Sequence, residues 1–215
     1  MATDTNISSY RLVTEGGSAE ITEKRSRFIG EVFSVHSPEE AAARIEEVTK
    51  RTWDAKHHCY GFVTGPGRTT MRSSDNGEPS GTAGKPILEV INGEELTDTL
   101  IVVTRYFGGV LLGTGGLVRA YTQAAQAALQ ASTIGEMSYR VKLLLSFSYD
   151  LVNPVQQELS RLGIAVDSQS YTDKVEYGIL PPADRQEEVS KALTSCTNGR
   201  IVIKEEGFGY FAVRL

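Results

Sequence analysis

The sequence predicts an α+β protein of two domains, residues 1–136 and 137–215, and three observations lead there. Strand-like and helix-like segments alternate along all 215 residues. The last third reads strand, helix, strand, strand, helix, strand, which is the ferredoxin-like β-α-β-β-α-β order. Two stretches rich in glycine and turn residues, 64–84 and 105–116, interrupt the first part where a compact domain carries functional loops.

Composition narrows the function classes. Hydrophobic residues make up 40% and charged residues 23%, so the chain can bury a core and is not a disordered segment. The formal net charge is −5. The whole-protein field therefore does not attract nucleic acid, and any RNA contact must rest on a local basic patch. Cys59 and Cys196 lie far apart and in no metal-like spacing, so both read as reduced thiols of a cytoplasmic protein. The first residues lack a basic start followed by an apolar run, so no signal peptide is expected. No apolar stretch approaches the roughly 18–20 residues of a membrane helix.

Along the chain, residues 1–9 are polar and expected to fray. Residues 10–13 and 19–22 flank a glycine turn, and RFIGEVFSV (27–35) mixes aromatic and β-branched residues as strands do. Ser37 is a helix cap, Pro38 fits the first turn and Glu40 completes a capping box. That helix runs to about Trp53, with Ala42, Ile45 and Val48 on its inner face. Residues 58–63 form a strand and 64–84 a long turn-rich loop; 87–92 are apolar, and 94–99 read as a short turn or a pair of strand ends. Residues 100–104, LIVVT, are a buried central strand, and an alanine-rich amphipathic helix follows from Leu117 to Ser132. In the second domain the strands are 140–147, 164–171, 174–180 and 201–208, with helices at 151–162 and 183–196. Asn153 with Pro154 and residues 181–184 are helix entries; Gly163 and Gly199 mark helix exits.

The segment RYFGGVLLGTGG (105–116) joins that central strand to that helix. Its glycines allow close backbone approach, and the helix start leaves free N–H groups facing an anion. The Gly-Lys-Ser/Thr ending of a phosphate-binding loop and the G-x-G-x-x-G spacing are both absent, so neither ATP nor NAD is expected.

Four blocks carry a resemblance. The runs DNGEPSGTAG (75–84), RYFGG (105–109) with LG (112–113), KRSRF (24–28) and HHCY (57–60) stand in an order and spacing that closely resemble the IMPACT family, bacterial YigZ-like branch, over about residues 10–130. Residues 137–215 resemble the small domain attached in that branch. Asn76 departs from the pattern, which has an acidic residue there. The resemblance implies a first domain like the second domain of a small-subunit ribosomal protein and a second domain like domain V of elongation factor G. It also implies translation regulation, since eukaryotic relatives interfere with a stress kinase acting on initiation.

The expected function is therefore a translation-associated regulatory protein binding RNA, the ribosome or a translation factor through a glycine-rich basic cleft. Anion contacts would come from Arg27, Lys85, Arg105 and Arg119, with the backbone of Gly108, Gly109, Gly115 and Gly116. The second wall would be the loop of Asp75, Asn76, Gly77, Glu78, Pro79, Ser80, Gly81, Thr82 and Gly84. Lys24, Arg25, Lys56, Arg68 and Arg72 are further phosphate contacts, with Tyr60, Tyr106 and Phe107 for stacking. Residues 56–85 carry four basic side chains against two acidic.

A hydrolase-type enzyme acting on a small phosphorylated or peptide substrate is the alternative, with His57 or His58 as base and Asp75 or Glu78 as acid. A protein-interaction module without nucleic-acid contact is another. No metal site and no cofactor are expected: His57, His58 and Cys59 alternate across a strand and cannot converge.

Overall fold

The computed structural model describes residues 9–65 and 67–214. The expected fraying of residues 1–9 falls outside the described residues up to 8, and Ser9 already belongs to a strand. The chain divides into two compact units: residues up to Glu136 together with those from Ala212, and Met137–Phe211. It passes from the first to the second within one strand.

In the first unit, β1 (Ser9–Glu15) pairs in parallel with the two-residue β6 (Leu96–Thr97). The remaining strands form a five-stranded antiparallel sheet in the order β2-β3-β7-β4-β5: β2 (Ser18–Glu23), β3 (Ser26–Ser34), β4 (His57–Thr64), β5 (Thr70–Ser74) and β7 (Thr99–Tyr106). β7 is central, and every residue from Thr99 to Arg105 is buried, as the continuous apolar run predicts. One sheet face packs on α2 (Gly84–Gly93) and α3 (Thr114–Gln130) through Phe28, Val103, Ile87, Tyr121 and Ala124. The other packs on α1 (Pro38–Arg51) through Ala41, Val48, Phe62, Leu100 and Val102. The small side chains Ala124 and Ala128 let α3 approach Gly30, where a Cβ would stand 2.5 Å from the Ala124 carbonyl.

At the N-terminus of α1 the Ser37 cap forms as read, but Glu40 closes on a neighbouring amide and not on that of the cap residue. Ser37 Oγ accepts from the Glu40 N–H at 3.2 Å. The Glu40 carboxylate accepts from the His36 N–H at 2.8 Å, one residue before the cap. The inner face differs: Ala41, not Ala42, is buried, in step with Ile45 and Val48.

Three further expectations are corrected. The stretch 64–84 is not structureless, because β5 lies within it. Only the outer residues of β5 are half-buried, so this edge strand lacks the apolar alternation that marks a strand in sequence. The apolar residues 87–92 lie in helix α2, which starts before Pro86; proline is tolerated in the first turn, where its missing N–H has no partner to lose. Helix α3 starts at Thr114 rather than Leu117, since two low-propensity glycines occupy its first turn.

The second unit contains most of β8 (Thr133–Phe147), α4 (Val152–Leu162), β9 (Val166–Tyr171), β10 (Val175–Ile179), α5 (Gln186–Cys196) and most of β11 (Val202–Arg214). The β-α-β-β-α-β order is the one found. β10 pairs antiparallel with β8 and β9, and β11 pairs with β8. The inner face of β8, Val141, Leu143, Leu145 and Phe147, packs on Val155 and Leu159 of α4 and Val189 and Leu193 of α5. Helix α4 ends at Gly163 with φ 69°, where the left-handed conformation closes the helix, as that glycine predicts. β8 begins earlier and β11 ends later than read. Among the described residues, no helix is long and apolar enough to cross a membrane.

Candidate functional site

Strand register assembles the site. Arg105 on β7 stands opposite Phe28 on β3 and His57 on β4, so these three side chains share the face that meets α3. The loop 75–84 arches over them from the end of β5. Asp75 anchors it: one carboxylate oxygen accepts from Ala83 and Gly84 N–H, both at 2.9 Å, and the other from Gly81 N–H at 2.8 Å. Asp75 thereby caps the N-terminus of α2 from nine residues away. Burial pushes its carboxyl up, but the three backbone donors outweigh burial and hold it below the usual range.

Asp75 places Glu78 inside. The Glu78 side chain is only 4% exposed and meets Arg105, 6% exposed, at 2.6 Å. Glu78 also accepts from the Tyr121 hydroxyl of α3 at 2.8 Å. Arg105 reaches Ser26 Oγ at 3.4 Å, and its guanidinium lies over the rings of Phe28 (5.3 Å) and Phe107 (5.5 Å). Its Nε is buried without a partner among the described residues. Cys59 packs beneath, 3.3 Å from the Tyr121 hydroxyl and 3.0 Å from the Asp75 carbonyl. Burial pushes its thiol up to about 12, so it is neither a nucleophile nor a thiolate ligand near neutrality.

The two histidines part as alternation requires. The His57 ring holds the Asn76 carbonyl at 2.9 Å, which fixes Nδ1 as the protonated nitrogen because a carbonyl only accepts. His58 turns to the other side, 2.8 Å from Thr52 Oγ1 at the end of α1, and burial lowers its pKa. Asn76, the departure from the family pattern, has φ 42° and accepts the His58 N–H through its side chain at 2.8 Å. An amide with a left-handed backbone suits this turn without a charge.

The glycine segment closes the arrangement. Gly108 presses on the turn between β2 and β3: a Cβ there would stand 2.1 Å from the Arg25 carbonyl carbon and oxygen. Gly113, at φ 73°, precedes α3, and no side chain caps that helix. The first intrahelical bond runs from Leu117 N–H to the Gly113 carbonyl, so the first-turn amides at Gly115 and Gly116 have no intrahelical partner. Gly109, also at positive φ, lies on the open loop.

Between this segment and the loop lies a cavity of about 410 Å³, lined among others by Lys56, His57, Glu78, Pro79, Arg105, Phe107, Leu112 and Leu117. Leu112 also lines a second hollow of about 250 Å³, with Lys24, Gly116 and Arg119. A hollow of about 470 Å³ between α2 and α3 is bordered by Glu89 and Glu94 and contains none of the residues singled out from the sequence.

The predicted residues thus separate into two groups. Arg105, Glu78, Asp75, Pro79 and His57 come together. Arg27 pairs with Glu20 at 2.9 Å and covers Tyr106; Lys85 faces Glu89 at 3.9 Å on α2; Arg68 bonds Asn92. Tyr60 is half-buried under α1, stacked on Phe62. Ser80 is exposed, and Thr82 bonds the Pro79 carbonyl at 2.7 Å, closing the turn at Gly81. Sequence reasoning missed Ser26, which is fully buried and bonds both Arg105 and Gly108, and Tyr121 as the partner of Glu78. The run KRSRF (24–28) contains Ser26 and was the available signal for it; Tyr121 lay one helical turn beyond Leu117.

Comparison with known proteins places these features in a family. Residues 24–129 match the Impact N-terminal domain, and residues 145–200 match a domain of unknown function, DUF1949. IMPACT family member YvyE of Bacillus subtilis is 35% identical over 95% of this chain and 94% of its own length. IMPACT family member YigZ of Escherichia coli is 33% identical over 83% of this chain and 88% of its own. A crystal structure of a hypothetical protein aligns at TM-score 0.60 and 31% identity, covering 93% of this chain and 99% of that one. The chain belongs to the IMPACT family, in its YigZ-like two-domain form.

Proposed function

We propose that this protein is a translation-associated regulator that binds RNA of the translation apparatus through the face around residues 105–116. One observation carries the reading. On a chain of net charge −5, Lys24, Arg25, Lys56 and Arg119 have no ion-pair partner among the described residues, and all four border the glycine segment. Unpaired cations beside free helix-start amides and an exposed aromatic ring suit a phosphate chain bearing bases.

The family resemblance supports the translation setting, because eukaryotic relatives regulate translation. The two fold likenesses it implies, to a ribosomal protein domain and to an elongation factor domain, lean the same way by analogy. The hydrolase alternative is weakened, since Asp75 and Glu78 are both engaged in holding the loop. Arg105 serves the site from within by shaping the cavity floor, and the phosphate contacts fall to the four exposed cations.

Filter binding of the full chain to ribosomal RNA and to intact ribosomes, across a range of salt, tests this. Affinity is expected to fall as salt rises. The Lys24→Ala, Arg25→Ala, Arg119→Ala variant should bind more weakly, with the log–log salt slope shallower by up to about three. Binding that ignores salt, or a triple variant that binds as tightly as the parent, would refute it.

A further inference from the structure

The cavity of about 410 Å³ is larger than a phosphate requires and falls within the range of small-ligand sites. Its inner walls are apolar, from Pro79, Leu112 and Leu117, and its polar groups stand at few points. A hollow that bound only the backbone would need neither feature. We infer that this cavity receives a single nucleobase, stacked on Phe107, with the phosphate of the same nucleotide at Lys56.

Phe107 is half exposed, so one part of its ring is open. The Arg105 guanidinium covers the ring from inside at 5.5 Å and is itself fixed by Glu78 at 2.6 Å. The ring is thus held in place before any ligand arrives, which lowers the entropy cost of stacking a base on it. His57 supplies direction. Its Nδ1–H is committed to the Asn76 carbonyl, so in the neutral ring Nε2 is an acceptor. A base N–H donor is the group that matches it: the exocyclic amine of adenine, cytosine or guanine, or the ring N3–H of uracil. The apolar walls of Pro79, Leu112 and Leu117 suit the faces and edge of a base, while Lys56 stands beside His57 in sequence and lines the same cavity.

This inference rests on the RNA reading above but fails separately from it. The probes are a short single-stranded oligoadenylate, adenosine 5′-monophosphate, uridine 5′-monophosphate and ribose 5-phosphate, titrated onto the full chain. Adenosine monophosphate should bind and displace the oligoadenylate; ribose 5-phosphate, with the same phosphate and no base, should do neither. Uridine monophosphate should bind more weakly than adenosine monophosphate, because its smaller ring stacks less on Phe107. Phe107→Ala and Phe107→Leu should each weaken adenosine monophosphate at least about fivefold without lowering the melting temperature appreciably. Equal binding of ribose 5-phosphate and adenosine monophosphate overturns the base cavity without recourse to any variant. So does undiminished binding by Phe107→Leu. Equal binding of the two nucleotides overturns the stacking on Phe107. Oligoadenylate binding without any nucleotide binding overturns the cavity and leaves the RNA reading standing. Nucleotide binding without RNA binding keeps the cavity as a free-nucleotide site and overturns the RNA reading.

Discussion

At Arg105 the guanidinium is 6% exposed and meets Glu78, 4% exposed, at 2.6 Å, so its charge is answered inside the protein. A buried pair of this kind contributes little net stability while intact, because desolvation offsets the attraction. Breaking it is another matter. Arg105→Ala leaves the Glu78 carboxylate buried with only the Tyr121 hydroxyl, and should cost about 3–5 kcal/mol in urea unfolding at neutral pH. Arg105→Met combined with Glu78→Gln should cost clearly less than Arg105→Ala alone. A double variant less stable than the single would show that the pair itself, and not the stranded charge, holds the loop. The sequence marked Arg105 and Glu78 as important but gave them to a ligand and to catalysis. Charge type alone does not say whether a partner comes from solvent or from 27 residues away in the same chain. That distinction needs the strand register and the arch of the loop.

The elements bearing these residues were unevenly legible. β7, α1 and α4 announce themselves by a continuous apolar run, a serine cap and a terminal glycine. β5 and α2 do not, because a polar edge strand carries no alternation and a proline in the first turn looks like a terminator. The loop between them was recognised as turn chemistry, yet its long-range task was hidden: Asp75 caps α2 across nine residues of sequence. Asp75→Asn removes the carboxylate's capacity to accept three backbone N–H groups at once and should cost about 1–3 kcal/mol. The pH dependence has a definite sign. The Asp75 carboxyl lies lower in the folded chain than its ordinary value of about 3.9, so its contribution is complete above that pH and is lost as pH falls through the lower folded value. Urea unfolding from pH 7 to pH 3 should therefore show the parent losing more stability below about pH 4 than Asp75→Asn does. Parallel curves for the two proteins would contradict this assignment.

For the whole molecule, the two-part organisation was legible because hydrophobic periodicity restarts beyond residue 137 with its own strand and helix set. Each unit has its own buried cluster: Phe28, Val103 and Tyr121 belong to one, and Leu143, Leu145 and Tyr177 to another. A cavity created in one cluster removes contacts from the elements around that cluster and from no others. Leu145 is fully buried in β8 opposite Tyr177 of β10. Leu145→Ala should therefore cost about 2–5 kcal/mol, felt first by α4, α5, β9 and β10. Hydrogen exchange by mass spectrometry reads this directly. Amides of α4, β10 and α5 should exchange faster in the variant, while those of β3, β7 and α3 keep the parent's protection. The RNA-binding and nucleotide-binding measurements on this variant should match the parent, since every residue assigned to the site lies before Glu136. Exchange that quickens equally across both sets of elements would mean that the chain opens as one cooperative body and that its two cores do not carry separate stabilities.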